Sequence, residues 1–305
     1  MARGILRLGK HRAFYLMALP GLVYYLLFHY VPMVGVVISF KDYSPIDGLA
    51  GIFTSPWVGL EHFEKFFGSY FFVRVFTNTI VISLLKLAFG FPAPIVLALL
   101  INEVKNRVFR RIVQTVSYLP HFISWVIVSS MIYLLASPSF GIAGSVLEWF
   151  GYREGFYALS SNDFFRGILV GSSIWKEIGW SSIIYLAAIS GINPELYESA
   201  MIDGASRWKQ VRHVTLPSIT NVISVLFILN VGGLLDAGFE QIFLLYSPSV
   251  YATADIIDTY VYREGLVTSN FSFATAVGMF KSVIAMALIV SANALARRLE
   301  AENLW

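Results

Sequence analysis

Five charged side chains lie inside otherwise apolar runs of the sequence, and they are the first candidates for binding chemistry. They are Lys86, Lys176, Glu177, Asp236 and Lys281. A charge in an apolar segment is costly in free energy, so such residues commonly line a path for a polar solute or an ion. The alternative is structural, because a long lysine chain can extend to a polar boundary or bond a neighbouring helix.

Tryptophan rings stand close to these charges in the sequence. Trp175 and Trp180 flank Lys176 and Glu177, and Trp125 lies in the preceding apolar run. A flat ring beside hydrogen-bonding groups suits a sugar, whose C–H face packs on the ring while its hydroxyls bond the polar neighbours. Aromatic residues near the ends of spans can instead be interfacial anchors. Three lysines against two carboxylates predict a mildly positive interior, which would suit an anionic sugar.

Motifs for covalent or metal-assisted catalysis are missing from the sequence. Cysteine is absent, which excludes a thiol nucleophile, a disulfide framework and a zinc–thiolate cluster. Neither His-Glu-x-x-His nor Gly-x-Ser-x-Gly occurs. Residues 4–11 nearly match a phosphate-binding loop, but His11 stands where Ser or Thr would bind Mg²⁺, and no apolar strand precedes them. We therefore predict no catalytic residue, no metal site and no cofactor bound by this chain.

The elements that position these residues are membrane-spanning helices. The chain is 57% hydrophobic and 13% charged, whereas soluble domains carry about 25% charged residues. Several apolar runs exceed the roughly 18 residues that mark a span. We predict an all-α membrane protein with six transmembrane helices, at about 13–40, 77–101, 112–136, 166–191, 218–236 and 273–295.

The distribution of lysine and arginine predicts the orientation of these spans. Thirteen of these residues fall in the N-terminal segment 1–12, the connections 102–111 and 192–217, and the C-terminal end. Six fall in the alternate connections. Because positive charge accumulates on the inner side, both termini are predicted to be cytoplasmic. Residues 1–12 are predicted to be an amphipathic cytoplasmic segment, and 298–305 a cytoplasmic tail.

One long polar stretch, residues 194–217, interrupts the apolar runs. Asn193 is a good N-cap and Pro194 a natural first helical residue. Gly204 can take the left-handed conformation that ends a helix, and Ser206 can cap a second helix. The stretch is therefore predicted to be a helix, a tight turn and a helix. Its physics alone leaves open whether it merely joins two spans or presents a functional surface.

The same residues resemble the "EAA" loop of permease subunits in binding-protein-dependent ABC importers. Glu198-Ser199-Ala200 corresponds to Glu-Ala-Ala, Gly204 follows four residues later, and Leu216-Pro217 completes the pattern. Ser199 is the one departure, a small residue for a small residue. The resemblance covers residues 73–297 as the permease core, with 13–40 as an added first helix and 41–72 as a periplasmic loop.

A longer run, residues 179–205, is similar to the polysaccharide-type (LplB-like) branch of these sugar permeases, which includes permeases of alginate and other uronate-oligosaccharide importers. The resemblance implies a type I ABC importer permease fold in the bacterial cytoplasmic (inner) membrane. It implies that the loop docks on a cytoplasmic ATPase, with Glu198 facing a basic residue there and Gly204 setting the turn. The implied coupling residues are Glu195, Tyr197, Glu198, Ala200, Asp203, Gly204, Ala205, Leu216 and Pro217.

The resemblance also implies the partners of the chain. They are a second permease (a related but different chain), two ATPase subunits that hold ATP and Mg²⁺, an external sugar-binding protein, the bilayer and an oligosaccharide. Nucleic acid is not among them. Loops 41–76, 137–165 and 237–272 are the expected landing surface for the binding protein. The candidates for the substrate path are Lys86, Trp125, Trp175, Lys176, Glu177, Trp180, Asp236 and Lys281.

Two other classes of protein were weighed against a permease. A secondary carrier driven by an ion gradient usually shows two related halves, and no repeat relates 1–150 to 151–305. Asp236 could carry a proton in such a carrier, but it would be a lone acid. An intramembrane enzyme is disfavoured by the missing catalytic motifs.

Overall fold

The structure is a computed structural model that describes residues 12–137, 141–149, 151 and 157–298. The described part is helical, and its extended segments pair only at a single bridge between Lys41 and Trp57. The predicted segments 1–12 and 298–305 lie outside the described residues, apart from one residue each. The chain forms two compact units, residues 1–69 with 261–280 and residues 70–260 with 281–305.

The first unit begins with a long apolar helix. Helix α1 (Arg12–Tyr25) continues through a π-helical turn (Leu26–Tyr30), the short α2 (Val31–Met33) and a 3-10 segment (Val34–Phe40). Together they form 29 residues of mean hydropathy 1.8. At 1.5 Å per residue this is long enough to cross a bilayer core of about 30 Å. The predicted first span is therefore present as a helix.

The stretch 41–72, predicted as a loop, contains two helices, α3 (Gly48–Thr54) and α4 (Glu61–Phe67). Its aromatic residues explain the difference, because Phe66 is fully buried and its ring contacts those of Phe273 and Phe280. A segment with such a buried side must satisfy its backbone groups internally, and helices do so.

The second unit is built from short helices around long ones. Its helices are α5 (Tyr70–Leu85), α6 (Pro92–Glu103), α7 (Arg107–Tyr118), α8 (Trp125–Ala136), α9 (Ile142–Trp149), α10 (Asn162–Ser190), α11 (Pro194–Ile202), α12 (Arg207–Gln210), α13 (Leu216–Ser218), α14 (Thr220–Gly232), α15 (Phe239–Leu245), α16 (Tyr251–Ala254) and α17 (Ile257–Tyr262). Helix α17 and the last helix, α18 (Phe271–Arg298), each contribute residues to both units.

Three of the six predicted spans correspond to helices that are long and apolar enough to cross a membrane. They are Arg12–Phe40, Tyr70–Glu103 and Phe271–Ala294. Two further predicted spans are bent, by 102° between Arg107–Phe122 and Trp125–Ala136 and by 62° between Arg207–Ser218 and Thr220–Gly232. The predicted fourth span lies within α10, which has 29 residues and carries internal charges. Six crossings and their orientation stay predictions.

Neighbouring residues contribute to the bend in the predicted third span. Pro120 cannot donate a backbone hydrogen bond, and it stands in a 3-10 turn after α7. Ile123 and Ser124 are extended, with ψ of 132° and 152°. The Ser124 side chain then accepts from the backbone N–H of Ile127 and starts α8 anew. The sequence predicts a continuous helix here because all three residues sit in an apolar run.

Helix α10 is the axis of the second unit. Near its start, Phe165 and Leu169 pack in one apolar cluster with Ile82 and Ile242. Near its end, Tyr185, Leu186 and Ile189 belong to a second cluster. Lys176 and Glu177 lie between the two clusters. The helix therefore makes apolar contacts near both of its ends and carries this pair of charges in its middle.

The stretch 237–272, predicted as a loop, is largely helical. It contains α15, α16 and α17, followed by a π-helical turn. Ile242, Leu245 and Ile256 are fully or almost fully buried in the first cluster of α10, so the segment has an apolar side that the hydropathy average hides. The stretch 137–165, also predicted as a loop, contains the short helix α9.

Candidate functional site

The polar stretch 194–217 folds as the predicted helix, turn and helix. The Asn193 side chain accepts from the backbone N–H of Glu195 at 3.1 Å, which satisfies a free donor at the start of α11. Gly204 has φ of +72°, the left-handed region that glycine tolerates. The Ala205 N–H donates to the Ala200 carbonyl at 2.9 Å and closes the helix end. Ser206 caps the next helix.

Two buried side chains brace this segment. Gln210 is buried and its Nε2 donates to the Ala205 carbonyl at 3.0 Å, directly after the turn. The Tyr197 hydroxyl and the buried Thr215 hydroxyl lie 2.9 Å apart and join α11 to the π-helical turn before α13. One bond thereby joins the first helix to the end of the segment, and the other ties the second helix to the turn, so the two bonds brace the segment. Sequence reasoning did not include Gln210 or Thr215 among the coupling residues.

The outer surface of this segment is exposed and partly apolar. Leu196, Met201, Ile202 and Trp208 are each about half exposed or more. The predicted coupling residues divide into two groups. Tyr197, Ala200, Ala205 and Leu216 are partly covered, and Glu195, Glu198, Asp203, Gly204 and Pro217 are exposed. An apolar surface rimmed by exposed carboxylates is typical of a protein contact.

A polar cavity of about 270 Å³ lies beside the middle of α10. Three of the predicted substrate-path residues line it, namely Lys86, Glu177 and Asp236. Its other polar side chains are Ser83, Ser173, Ser181 and Asn230. The residues of α10 that line it, 173, 174, 177, 178 and 181, repeat at three- and four-residue intervals and form one face of the helix. The structure therefore brings three of the predicted charges to one cavity, and their role in a substrate path stays a prediction.

Lys86 is held at the wall of this cavity. Its Nζ donates to the Ala237 carbonyl at 2.7 Å and to Oε1 of Gln241 at 2.6 Å. Gln241 is buried, and its Nε2 donates to the Leu169 carbonyl at 2.8 Å. Gly238, with φ of +88°, leaves room for the lysine, because a Cβ there would lie 2.5 Å from Nζ. These contacts fix the position of the ammonium group.

A second cavity, of about 370 Å³, adjoins the first and is mainly apolar and aromatic. The two share Gly90, Phe91, Pro94, Ser181 and Asn230. Trp180 and Tyr185 line only the second. Together the cavities offer hydrogen-bonding groups on one side and ring faces on the other, which is the combination that a sugar needs.

A cluster of polar and aromatic side chains joins α10 to the bend after α7. The His121 ring stacks on Trp180, with centroids 4.5 Å apart and planes at 2°. Its Nδ1 lies 2.7 Å from Oε2 of Glu177. Lys176 is buried, its Nζ donates to the His121 carbonyl at 2.6 Å, and it lies 5.7 Å from the Trp125 ring centroid. Lys176 and Trp125 therefore stabilise the bend and do not line either of the two cavities.

Trp175 and Lys281, also predicted for the substrate path, lie elsewhere. Trp175 lines a separate apolar cavity with Val128 and Met131, so the two tryptophans of α10 do not form one surface. Lys281 binds both carboxylate oxygens of Asp258, at 2.6 and 2.7 Å. Burial raises the pKa of Asp258, which lies on α17, while the hydrogen bond and charge of Lys281 act against that rise.

Some residues of the site were not among the predicted ones. Asn230 and Gln241 carry neutral amides, whereas the predicted residues carry charges or aromatic rings. Asp258 lies in a stretch taken for a loop. An amide inside the apolar run of α14 was the available signal for Asn230, since amides in spans usually bond across helices. Gln241 had no comparable signal, because α15 was not predicted.

Apolar helices long enough to span a membrane, a polar cavity among them and a braced, exposed helical segment define a membrane transport protein. A family model described as "Binding-protein-dependent transport system inner membrane component" matches residues 90–302. The chain belongs to this family. The predicted class of permease, its all-helical type I importer fold and its multi-pass inner-membrane location are thereby confirmed.

Relatives match over almost the whole chain. "Polygalacturonan/rhamnogalacturonan transport system permease protein YteP" of Bacillus subtilis (strain 168) is 45% identical over 99% of this chain and 93% of its own length. "Protein LplB" of the same organism is 44% identical over 98% and 92%. A crystal structure of a bacterial alginate ABC transporter, in complex with alginate pentasaccharide-bound periplasmic protein, contains a chain that is 43% identical, with a TM-score of 0.88 and 98% coverage of both chains.

Proposed function

We propose that the chain is the transmembrane permease subunit of an ATP-driven importer for acidic oligo- or polysaccharides. An external binding protein delivers the sugar, and the permease moves it across the inner membrane by alternating access. Support for the substrate class comes from the names of the relatives, since polygalacturonan and alginate are both built from uronic acids. The chain itself is not an enzyme in this proposal, because ATP and Mg²⁺ belong to partner ATPase subunits.

The observation that carries the transport role is the polar cavity beside α10. Lys86, Glu177, Asp236 and Asn230 meet there between helices that are apolar on their other sides. Hydrogen-bonding groups inside a membrane domain are costly unless they serve one another or a solute. The adjoining cavity with Trp180 supplies an aromatic face. A sugar unit passing between the two cavities would find hydrogen bonds on one side and a ring on the other.

The segment 193–217 is the proposed contact with an ATPase subunit. Its exposed apolar residues and its carboxylates offer a surface, and Gln210 and Tyr197 keep that surface rigid. The segment connects α10, which carries cavity residues, directly to α14, which carries Asn230. A displacement imposed on a rigid segment between these two helices would change the cavity that they line.

The remaining partners in the proposal are a second permease, a related but different chain, and the binding protein. The alginate transporter structure supports the binding protein, because it contains a sugar-bound periplasmic protein. The second permease is supported by the family, whose members resemble permeases that work in pairs.

The proposal is tested with the complete importer in proteoliposomes, using the binding protein loaded with an oligogalacturonate. We expect stimulated ATP hydrolysis and ATP-dependent uptake of the labelled sugar. The matched control is the same oligosaccharide with its carboxyl groups reduced to alcohols. Uptake without ATP would contradict the transport class, whereas equal uptake of the neutral sugar, at equal loading of the binding protein, would contradict only the acidic substrate.

A further inference from the structure

Four basic side chains cluster at the start of α7, outside the site described above. They are Lys105, Arg107, Arg110 and Arg111. Glu103 is the nearest acidic residue in the sequence. Within the ranges that the structure describes, no carboxylate forms an ion pair with any of the four. The cluster is therefore a strong positive charge that the described chain does not neutralise.

The same helix has an exposed apolar side. Rotation by about 100° per residue separates two faces of α7, one of which carries Arg107, Arg111 and Gln114. The opposite face carries four apolar residues, each more than half exposed, namely Val108, Phe109, Ile112 and Val116. A helix of this kind buries its apolar side in the acyl region and keeps its basic side at the level of the headgroups.

The bend after α7 gives the helix a suitable direction. Arg107–Phe122 and Trp125–Ala136 meet at 102°, so a steep α8 leaves α7 nearly parallel to the membrane plane. Three arginines on α7 also make a crossing of the acyl region by that helix costly. The positive-inside tendency accounts for basic residues near a span, but it does not require an exposed apolar face on the same helix.

We infer that α7 is an interfacial helix that binds the phosphates of anionic phospholipids through Lys105, Arg107, Arg110 and Arg111. A bilayer matches both faces of the helix, since it offers negative phosphates beside an apolar layer. An acidic protein surface would match only the basic face and would leave the apolar one exposed. Phosphatidylglycerol, with its single negative charge, is a sufficient ligand.

Contacts of α7 would also connect the bound lipid to the helices that carry out transport. This part of the inference rests on the proposed function. Val113 of α7 packs against the cluster that contains Ile189 at the end of α10 and Ile219 after the coupling segment. Ser117 and Tyr118 contact α10 so closely that a Cβ on Gly179 would lie 2.0 Å from the Ser117 carbonyl oxygen. A shift of α7 at the bilayer surface would thus move the residues next to both ends of the coupling segment.

The lipid test uses the purified importer complex and measures bound lipid directly by native mass spectrometry, in an equimolar mixture of phosphatidylglycerol and phosphatidylcholine. Each basic residue near an anionic surface strengthens binding about fivefold. We expect the triple variant Arg107→Gln, Arg110→Gln, Arg111→Gln to retain at least tenfold less phosphatidylglycerol than the wild type, with phosphatidylcholine unchanged. The charge-preserving variant Arg107→Lys, Arg110→Lys, Arg111→Lys is the matched control and should retain the lipid.

Equal retention of phosphatidylglycerol by the glutamine variant would overturn the inference. Loss of the ATPase subunits from the purified complex, with lipid retention unchanged, would also overturn it and would assign the basic face to a protein partner. If the triple variant does not insert, the single variant Arg111→Gln should still lower retention about fivefold. These readouts are independent of transport, so a failure of the proposed substrate or direction would not affect them.

Discussion

The Trp180 ring is held in place on one face and exposed to a cavity on the other. One face of its ring is covered by His121, which in turn is fixed by Glu177. The ring is nevertheless 43% exposed and lines the second cavity. A ring that is fixed on one side and open on the other needs no reordering to receive a sugar, so little conformational entropy is lost on contact.

We expect Trp180→Ala to reduce uptake by the reconstituted importer about five- to tenfold, because an aromatic contact contributes about 1 kcal/mol. Trp175→Ala is the matched control, since Trp175 lies on the same helix but lines a separate apolar cavity. Initial rates of uptake should separate the two variants, while both should retain ATPase binding. Equal loss of uptake in the two variants would mean that Trp180 acts only through packing.

At the scale of residues, helix geometry could have improved the sequence prediction. Trp175 and Trp180 are five residues apart, or about 140° around a helix, so they cannot share a face. Glu177 and Trp180 are three apart and do meet at neighbouring cavities. The burial of Lys176 could not be predicted, because its partner is a backbone carbonyl, that of His121, 55 residues away.

At the scale of elements, the contact between α7 and α10 depends on one glycine. A Cβ on Gly179 would lie 2.0 Å from the oxygen and 2.3 Å from the carbon of the Ser117 carbonyl. Both atoms belong to the backbone, so the contact cannot be relieved by a change of rotamer. Small residues of this kind permit close helix packing in membranes. Gly179 therefore sets the distance between the amphipathic helix and the helix that carries the cavity residues.

We expect Gly179→Ala to destabilise the permease by about 1–3 kcal/mol, the usual cost of overpacking. Gly171→Ala on the same helix is the control, because no atom lies within 4 Å of a Cβ there, and alanine favours a helix over glycine by up to about 1 kcal/mol. Thermal unfolding of the complex in one detergent compares them. A midpoint for Gly179→Ala at or above that of Gly171→Ala would show that the two helices can separate without loss.

The elements that the sequence predicted well are those with local causes. The caps at Asn193 and Ser206 and the turn at Gly204 depend on neighbouring residues only, and the structure contains all three. The bend at Ile123 and Ser124 depends on Pro120 together with contacts from α10, and hydropathy carries no sign of it. The helices in 41–72 and 237–272 were missed for a similar reason, since their buried sides are visible only once the distant partners are in place.

At the scale of the whole molecule, the proposed function makes the segment 193–217 the link between an ATPase subunit and the cavity. It follows α10 and precedes α14, both of which line the cavity. Glu198 lies on its exposed surface. A carboxylate in that position can bind a basic residue of an ATPase subunit, and truncating such a pair typically costs about 2–5 kcal/mol.

We expect Glu198→Lys to insert normally and to lower binding-protein-stimulated ATP hydrolysis and uptake more than tenfold, because the reversed charge would repel the basic partner. Glu103→Lys makes the same charge change at an exposed position at the end of α6, outside the expected landing surface of the binding protein, and is the matched control. The two activities are measured on the same proteoliposomes. Normal coupling by Glu198→Lys would remove Glu198 from the docking surface.

The family could be inferred from the sequence because its motif is long and lies in one stretch, from Glu198 to Pro217. The fold class followed from composition, since an apolar chain of this length must place helices in a bilayer. The cavity could not be predicted, because its residues come from α5, α6, α10 and α14 and its shape depends on how these helices pack.

The two hydrogen bonds of Lys86 affect how fast this residue would release a bound sugar unit. An ammonium group has three N–H donors, and Lys86 uses two of them on Ala237 and Gln241. One donor is left for a passing carboxylate or hydroxyl. A contact through one hydrogen bond is short-lived, and a chain of sugar units can advance only if each unit dissociates quickly. In the proposed function, Lys86 would therefore favour fast turnover, and tight capture of the sugar would be left to the binding protein.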